Sequence, residues 1–359
     1  MTKDKLPTLI GDKIRQVFGQ STEIRSLDSI AGDASSRRYF RAILSGLKTP
    51  PSIVIMNFPA GTSLPLSSEE LAIFKEPPKE LPFLNLHRFL KNVGVRVPAL
   101  YGAWEDEGFL LLEDLGDTAL WDKVQGSGED EVMACYQKAI DELLLLQVRG
   151  SDQRDDSCLA FQQQFDFRLY MWEFDHFLEY ALEKQPSFSV PTSLIAELRK
   201  AFAEIARRLD SQPSGLSHRD YHSWNLMFHN DSIAVIDFQD ALLAPPQYDL
   251  ASLLNDRITD RVIRPPLEQL LVSYYMDRRA EMTKRKIPRD EFFEIYLLSA
   301  IQRDLKVVGR FHYLDLVKGK PAYKKFIPPT LHRLKRNLAR APKLQKLIPL
   351  LADYFEELR

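Results

Sequence analysis

Disulfides, membrane spans, repeats and a strong net charge are all missing from this chain. Its 359 residues include only two cysteines, Cys135 and Cys158. Two are too few for a disulfide framework, and they are not spaced as a metal-binding knuckle, so reduced, buried thiols are expected. No apolar run approaches the ~18–20 residues that span a bilayer. The opening segment MTKDKLPTLIGDKIRQVFGQ mixes charges throughout and lacks the apolar core of a signal peptide. A soluble, cytoplasmic protein with no membrane partner is therefore expected. The formal net charge is only −2, which argues against a nucleic-acid binder.

The remaining composition is that of an ordinary globular chain. Hydrophobic residues make up 45% and charged residues 27%, which excludes disorder. The length suggests two lobes and a core that needs no metal or disulfide staple. The near-neutral charge is a cancellation, however. Between Arg303 and Lys346 thirteen Lys and Arg stand against two Asp and Glu, so an acidic body is followed by a basic C-terminal segment. Leu331, Leu334 and Leu338 share one helical face there. The two readings are a solvated helix face, or a surface that attracts an anionic substrate, nucleotide or membrane.

Periodicity divides the chain. Apolar spacing over residues 9–19 predicts an opening helix. Arg38–Leu44, Ser52–Met56 and Phe109–Leu112 read as strands. Five prolines from Pro59 to Pro82 mark a loop-like stretch. Leu84–Val93 then reads as a helix stopped at Gly94. Beyond Gly116 the pattern turns helical over Glu129–Gln147, Phe165–Glu183, Thr192–Leu209 and from Leu250 onward, with a β-like island at Asn225–Phe238. A β-rich lobe over residues 1–115 and a mainly helical lobe over 116–359 are expected.

The informative segment is Ser217-His218-Arg219-Asp220-Tyr221-His222-Ser223-Trp224-Asn225-Leu226, followed by Val235-Ile236-Asp237-Phe238-Gln239-Asp240. Phosphoryl transfer needs a carboxylate to position the acceptor and oxygen ligands for the metal ion on the polyphosphate. Asp220 in a loop suits the first role. Asn225 and Asp237, at the ends of short apolar strands, suit the second. His218 and Arg219 read as residues that tie the loop down.

With those motifs in hand, the chain resembles the aminoglycoside-phosphotransferase and choline-kinase group of the protein-kinase-like fold. That group writes its catalytic loop H-x-D-x-x-x-x-N and its metal-binding Asp as I-D-[FW]. The resemblance implies an α+β bilobal fold, ATP as donor, Mg²⁺ held by Asn225 and Asp237, and Asp220 as catalytic base. It places an adenine-binding hinge near 112–116, with Glu113 and Leu115 as contacts, and makes Asp249 of Tyr248-Asp249-Leu250-Ala251 a scaffold residue. Gly32–Arg41, Phe109–Gly116, His218–His222, Asp237–Ala241 and Gln302–Gly309 are similar to segments of bacterial anomeric N-acetylmuramate/N-acetylglucosamine kinases. Those enzymes phosphorylate the 1-hydroxyl of an amino sugar in cell-wall recycling.

The chain departs from the kinase pattern on its third strand, where Met56 stands in place of a basic residue; the helix that follows has no acidic partner. A pseudokinase scaffold is one reading of that loss. The other is that phosphate charge is met by Arg37 and Arg41, with Ser35 and Ser36 completing a cradle. Alternation puts Arg37, Tyr39 and Arg41 on one strand face and Arg38 with Phe40 on the other. For a small-molecule sugar acceptor the candidates are Glu173, His222, Asp240, Gln302, Arg303 and Lys306, with Gln302 and Lys306 on one helix face. An aminoglycoside or a choline-like alcohol is the alternative acceptor.

Overall fold

The computed structural model describes residues 6–30, 37–47, 49–59 and 78–359. Ser35 and Ser36, and most of the proline-rich stretch, lie outside the described residues. Two compact units are present: one gathers the chain up to residue 59 with 78–81 and 97–117, the other 82–96 with 118–359.

The smaller unit is a five-stranded antiparallel sheet built from β1 (Glu23–Ile30), β2 (Arg38–Ser45), β3 (Ser52–Asn57), β4 (Leu100–Trp104) and β5 (Phe109–Glu113), ordered β1-β2-β3-β5-β4. Helix α1 (Leu6–Phe18) lays Ile10 and Ile14 against Ala42, Leu44, Ile53, Ile55, Phe109 and Leu111. That core takes every second residue of β2, β3 and β5. Cross-strand register sets Tyr39 beside Met56 and Met56 beside Leu110, with Arg41, Val54 and Leu112 in the next row. Both rows lie on the face away from α1, and Met56 is fully buried there. Two strands escape the sequence pattern. β1 is a half-exposed edge strand with little apolar alternation. β4 contains Gly102, where any Cβ would fall 2.3 Å from the Trp104 ring folded over it.

The larger unit is helical: α2 (Pro82–Val93), α3 (Leu120–Val124), α4 (Glu129–Leu144), α5 (Phe167–Phe177), α6 (Thr192–Asp210), α7 (Gln247–Leu254), α8 (Pro265–Thr283), α9 (Arg289–Leu316), α10 (Ile327–Ala339) and α11 (Leu347–Ala352). Helix α2 starts on a proline, whose fixed φ suits a first turn, and Gly94 follows its end with φ 91°. It belongs to this unit because Phe83 packs on Phe238 at 5.0 Å and Phe89 on Phe161 at 5.3 Å. Two short antiparallel pairs, β6 (Gly215–Ser217) with β9 (Leu242–Ala244) and the hairpin β7 (Leu226–His229) with β8 (Ser232–Val235), frame the motif-bearing loops.

Helix α9 organises the rest. At Gly309 it approaches α5 so closely that a Cβ would lie 2.7 Å from the Cα of Phe177. One and two turns back along α9, Lys306 and Gln302 meet Glu173, one turn back along α5 from Phe177. The next residue round, Asp304, is buried against α10, where Arg333 reaches it at 2.8 Å and Asn337 at 3.2 Å.

The basic C-terminal segment is therefore not simply a solvated face, nor a free basic surface. Arg333 and Arg336 pair with Asp260, Arg340 with Glu268, Lys324 with Asp315 and Lys346 with Glu204. Asp260, Glu268 and Glu204 of the acidic body thus meet the basic tail as ion pairs, and within the tail itself Arg333 and Asp304 form a fully buried pair. Among the described residues no helix is long and apolar enough to cross a membrane.

Two stability predictions follow from α9. Arg333→Ala leaves Asp304 buried without its guanidinium and should cost about 3–5 kcal/mol, read from urea or thermal unfolding. Substituting both members with apolar residues should restore much of the loss, whereas equal damage from the single and double variants contradicts a pair-based account. Gly309→Ala should destabilise by about 1–3 kcal/mol, because overpacking against Phe177 outweighs the ~1 kcal/mol gain in helix propensity. A Gly309→Ala protein that melts higher than wild type would contradict the close approach.

Candidate active site

Between β6 and β7 the chain runs His218-Arg219-Asp220-Tyr221-His222-Ser223-Trp224-Asn225 through a loop held from several sides. Arg219 has φ 76°, a left-handed conformation that a non-glycine residue adopts only when its surroundings enforce it. Here the Asp249 carboxylate enforces it, accepting from the backbone N–H of His218 at 2.8 Å and of Arg219 at 3.0 Å. The His218 ring bonds the Ile236 carbonyl at 2.9 Å, and Tyr221 donates to the Ala139 carbonyl at 2.8 Å. His218 and Asp249 thus act as scaffold.

Asp220 sits at the centre of a charged cluster. Its Oδ1 lies 3.2 Å from Arg303 Nη1 and 3.4 Å from Lys306 Nζ, both on α9. Its Oδ2 has no hydrogen bond to a described residue, and a third of the side chain is open to solvent. Burial alone pushes this carboxyl up, but the charges of Lys306, Arg303 and Arg219 outweigh it and hold Asp220 well below the usual carboxylate range. Lys306 is also 3.4 Å from Glu173 Oε1; burial would lower its pKa, but Asp220 and Glu173 raise it above the usual lysine range. One oxygen of an ionised carboxylate is thus anchored and the other has no hydrogen-bond partner among the described residues.

Asn225 and Asp237 flank the β7–β8 hairpin, in which Leu226 pairs with Val235, and Ile236 N–H donates to the Asn225 carbonyl at 3.0 Å. The Asn225 side-chain amide donates to the Asp220 carbonyl at 3.0 Å, which turns its Oδ1 away for another use. Asp237 is exposed, with φ 61°, and one carboxylate oxygen accepts from Gln239 at 2.5 Å. An amide and a carboxylate oxygen at neighbouring strand ends fit a hard cation such as Mg²⁺. Among the described residues no group of three or more His, Cys, Asp or Glu could hold a metal alone, so such an ion would draw further ligands from phosphate and water.

Other expected site residues take different places. Glu173 cannot meet an acceptor: it is 1% exposed, in an ion pair with Arg219 at 2.9 Å and accepting from Gln302 at 2.7 Å. Gln302 is fully buried in that contact. Arg303 is likewise buried; it holds the Arg219 carbonyl at 2.7 Å and the Asp220 carboxylate, so it positions the loop rather than binding substrate. Lys306 alone of the three keeps some solvent exposure. His222 is buried, and desolvation lowers it to about 4, leaving the ring neutral. Asp240 is half-buried two residues beyond Phe238.

In the smaller unit, Arg41 is not a free phosphate ligand. Its guanidinium forks onto Asp117 at 2.8 Å through each of two nitrogens and contacts Asp114 at 2.7 and 3.0 Å. It thereby fastens the segment after β5 to β2. Arg37 directly precedes β2. Glu113 closes the β4–β5 end, its carboxylate accepting from Ala99 N–H at 2.9 Å, and Leu115 is buried.

The sequence reading missed Asp256, Arg257 and the aromatic pair Trp121–Trp224. Asp256 is buried, 3.9 Å from Arg303 and 3.7 Å from Arg257. Trp121 and Trp224 stack at 4.8 Å. Neither Asp256 nor Arg257 belongs to a recognisable motif. Only Trp224, which lies within the His218–Asn225 loop, offers a cue.

Residues 26–283 match the phosphotransferase enzyme family. The chain is 30% identical over 324 residues to an N-acetylmuramate/N-acetylglucosamine kinase of Neisseria meningitidis, covering 90% of this chain and 89% of that one. It is 29% identical over 329 residues to the protein of the same name from Pseudomonas aeruginosa, covering 90% and 87%. Its fold is similar to that of choline kinase LicA from Streptococcus pneumoniae, with TM-score 0.58, 15% identity, and 94% and 99% of the two chains covered. The kinase-like fold, a small antiparallel sheet unit and a larger helical one, is thus shared over most of the chain. The chain belongs to the phosphotransferase enzyme family and is a kinase that transfers phosphate to a hydroxyl acceptor.

Proposed function

We propose that this enzyme moves the γ-phosphate of ATP onto the anomeric hydroxyl of an amino sugar, N-acetylmuramate or N-acetylglucosamine, as a cytoplasmic step of cell-wall recycling. The names of the two relatives, each matched over most of both chains, support that acceptor. The observation that carries the chemistry is the Asp220 carboxylate, with one oxygen held by Arg303 and Lys306 and the other open.

Asp220 Oδ2 accepts the hydrogen bond of the acceptor hydroxyl and aims its oxygen at the phosphorus. So acidic a carboxylate takes the proton late, once the new P–O bond has made the hydroxyl far more acidic, which suits a loose phosphoryl-transfer transition state. An anomeric hydroxyl, more acidic than an ordinary alcohol, reduces the basicity required further. Asn225 and Asp237 offer oxygens where Mg²⁺ would bind, and the chemistry supplied there is neutralisation of the triphosphate charge. Orientation and electrostatics carry most of the acceleration. A polycationic aminoglycoside fits less well, because two cations, Arg303 and Lys306, already flank the Asp220 carboxylate. A pseudokinase reading requires Mg·ATP binding with no acceptor-dependent ADP release.

Two experiments follow. Asp220→Asn should lower acceptor-dependent ADP release by about 10²–10⁴-fold with Mg·ATP affinity largely kept, whereas Asp237→Ala should weaken Mg·ATP itself. Wild-type turnover in Asp220→Asn removes the assignment. The pH profile tests the cations: because Asp220 is held low, wild-type kcat/KM should show no acid limb from this group until well below the ordinary carboxylate value near ~3.9. Lys306→Met removes one stabilising charge, so its acid limb should move to higher pH. An unmoved limb means Lys306 does not set the Asp220 ionisation.

A further inference from the structure

Beside the catalytic loop lies a cation that the mechanism above does not use. Arg257 follows α7, and its guanidinium lies over the Trp224 ring at 4.7 Å, with the Phe326 ring at 5.7 Å. Trp224 is itself stacked on Trp121. The Arg257 backbone has φ 40°, again left-handed, and its carbonyl accepts from the buried Arg333 at 2.8 Å. The residue is therefore held in a strained conformation by packing and by a hydrogen bond from α10, the situation in which strain marks a functional position.

Its hydrogen-bonding capacity is largely unspent. The terminal nitrogens of Arg257 donate to no described residue, and the nearest carboxylate, that of its neighbour Asp256, stands 3.7 Å from Nε. Asp256 is in turn shared with Arg303, which touches Asp220. The relay Asp220–Arg303–Asp256–Arg257 ties this guanidinium to the transfer centre. Lys306 and Arg303 are each committed to Asp220, and Arg219 to Glu173. Arg257 is the remaining cation of this group whose terminal nitrogens donate to no described residue, and it is seated on the Trp224 ring, whose other face is closed by Trp121.

We propose that Arg257, presented on Trp224, is the acceptor-side anchor for a carboxylate-bearing sugar, and so decides the preference between an acidic acceptor and its neutral counterpart. The assignment rests on the amino-sugar reading above. N-acetylmuramate carries a carboxylate on its lactyl ether, and N-acetylglucosamine lacks it. A guanidinium fork matches a carboxylate with two parallel hydrogen bonds, and stacking on an indole fixes the plane of the fork. With Trp121 on one face and Arg257 on the other, Trp224 holds the guanidinium in place, and the guanidinium serves only the acidic sugar.

The experiment compares kcat and KM for the two sugars and for ATP in the wild-type enzyme and in Arg257→Ala. Loss of one charged hydrogen-bonding pair corresponds to about a 10–100-fold fall in kcat/KM for N-acetylmuramate, carried mainly by KM. The fall for N-acetylglucosamine should be several times smaller. Equal losses for both sugars, no loss for either, or a change confined to KM for ATP would overturn the assignment. If Arg257→Ala loses its cooperative melt, Arg257→Gln is read the same way, since it keeps the length over Trp224 without the charge. A wild-type enzyme that phosphorylates neither sugar overturns the amino-sugar reading itself, an outcome distinct from all of these.

Discussion

One carboxylate, held between a lysine and an arginine from a helix more than eighty residues downstream, is the constraint on which this active site depends. Asp220 lies in a loop, where a side chain ordinarily has freedom. Arg303 and Lys306 remove that freedom on one oxygen and keep the group ionised. The arrangement works only while α9 is pressed against α5, because Glu173 of α5 receives Arg219, Gln302 and Lys306 together. Gly309 makes that closeness possible. A missing side chain in the core and a charged side chain in the site are therefore parts of one device.

The same helix carries a second buried charge, Asp304, on its other side. Its partner Arg333 also holds the Asp260 carboxylate and the Arg257 carbonyl. The basic C-terminal segment is thus clamped onto the acidic body through ion pairs, and its most buried arginine supports the backbone beneath Arg257. A buried pair is costly to desolvate, and its geometric value is specificity more than net stability. Here it specifies which turn of α10 lies over α9, and with it the placement of the residues beside Trp224.

Much of this was legible in the sequence, and the gaps have physical reasons. The strands Arg38–Leu44, Ser52–Met56 and Phe109–Leu112 announced themselves because each is buried on at least one face and flanked by turn residues; β1, an exposed edge, and β4, interrupted by Gly102, did not. The grouping of Asp220, Asn225 and Asp237 was readable because the three belong to one local segment, and the catalytic and metal-binding roles given to them are part of the proposal. Roles set by long-range contacts were not. Glu173 looked like an acceptor ligand, yet it is sealed behind Arg219, and Arg41 looked like a phosphate ligand, yet two carboxylates occupy it. Local sequence reports which residue types are present; which of them have already been neutralised depends on partners from distant elements. Met56 is the converse case, for its strand and face were predictable and its burial leaves the sheet without the expected cation.

The family gives transfer of a phosphoryl group to a hydroxyl, and the proposal adds that Asp220 orients that hydroxyl and that the acceptor is an amino sugar. The phosphorus NMR spectrum of the product formed from ATP and N-acetylglucosamine tests it most directly. The account predicts a sugar phosphate whose phosphorus couples to the anomeric proton. A phosphate coupled to the C6 methylene protons, or ADP formation with no phosphorylated sugar, would contradict it.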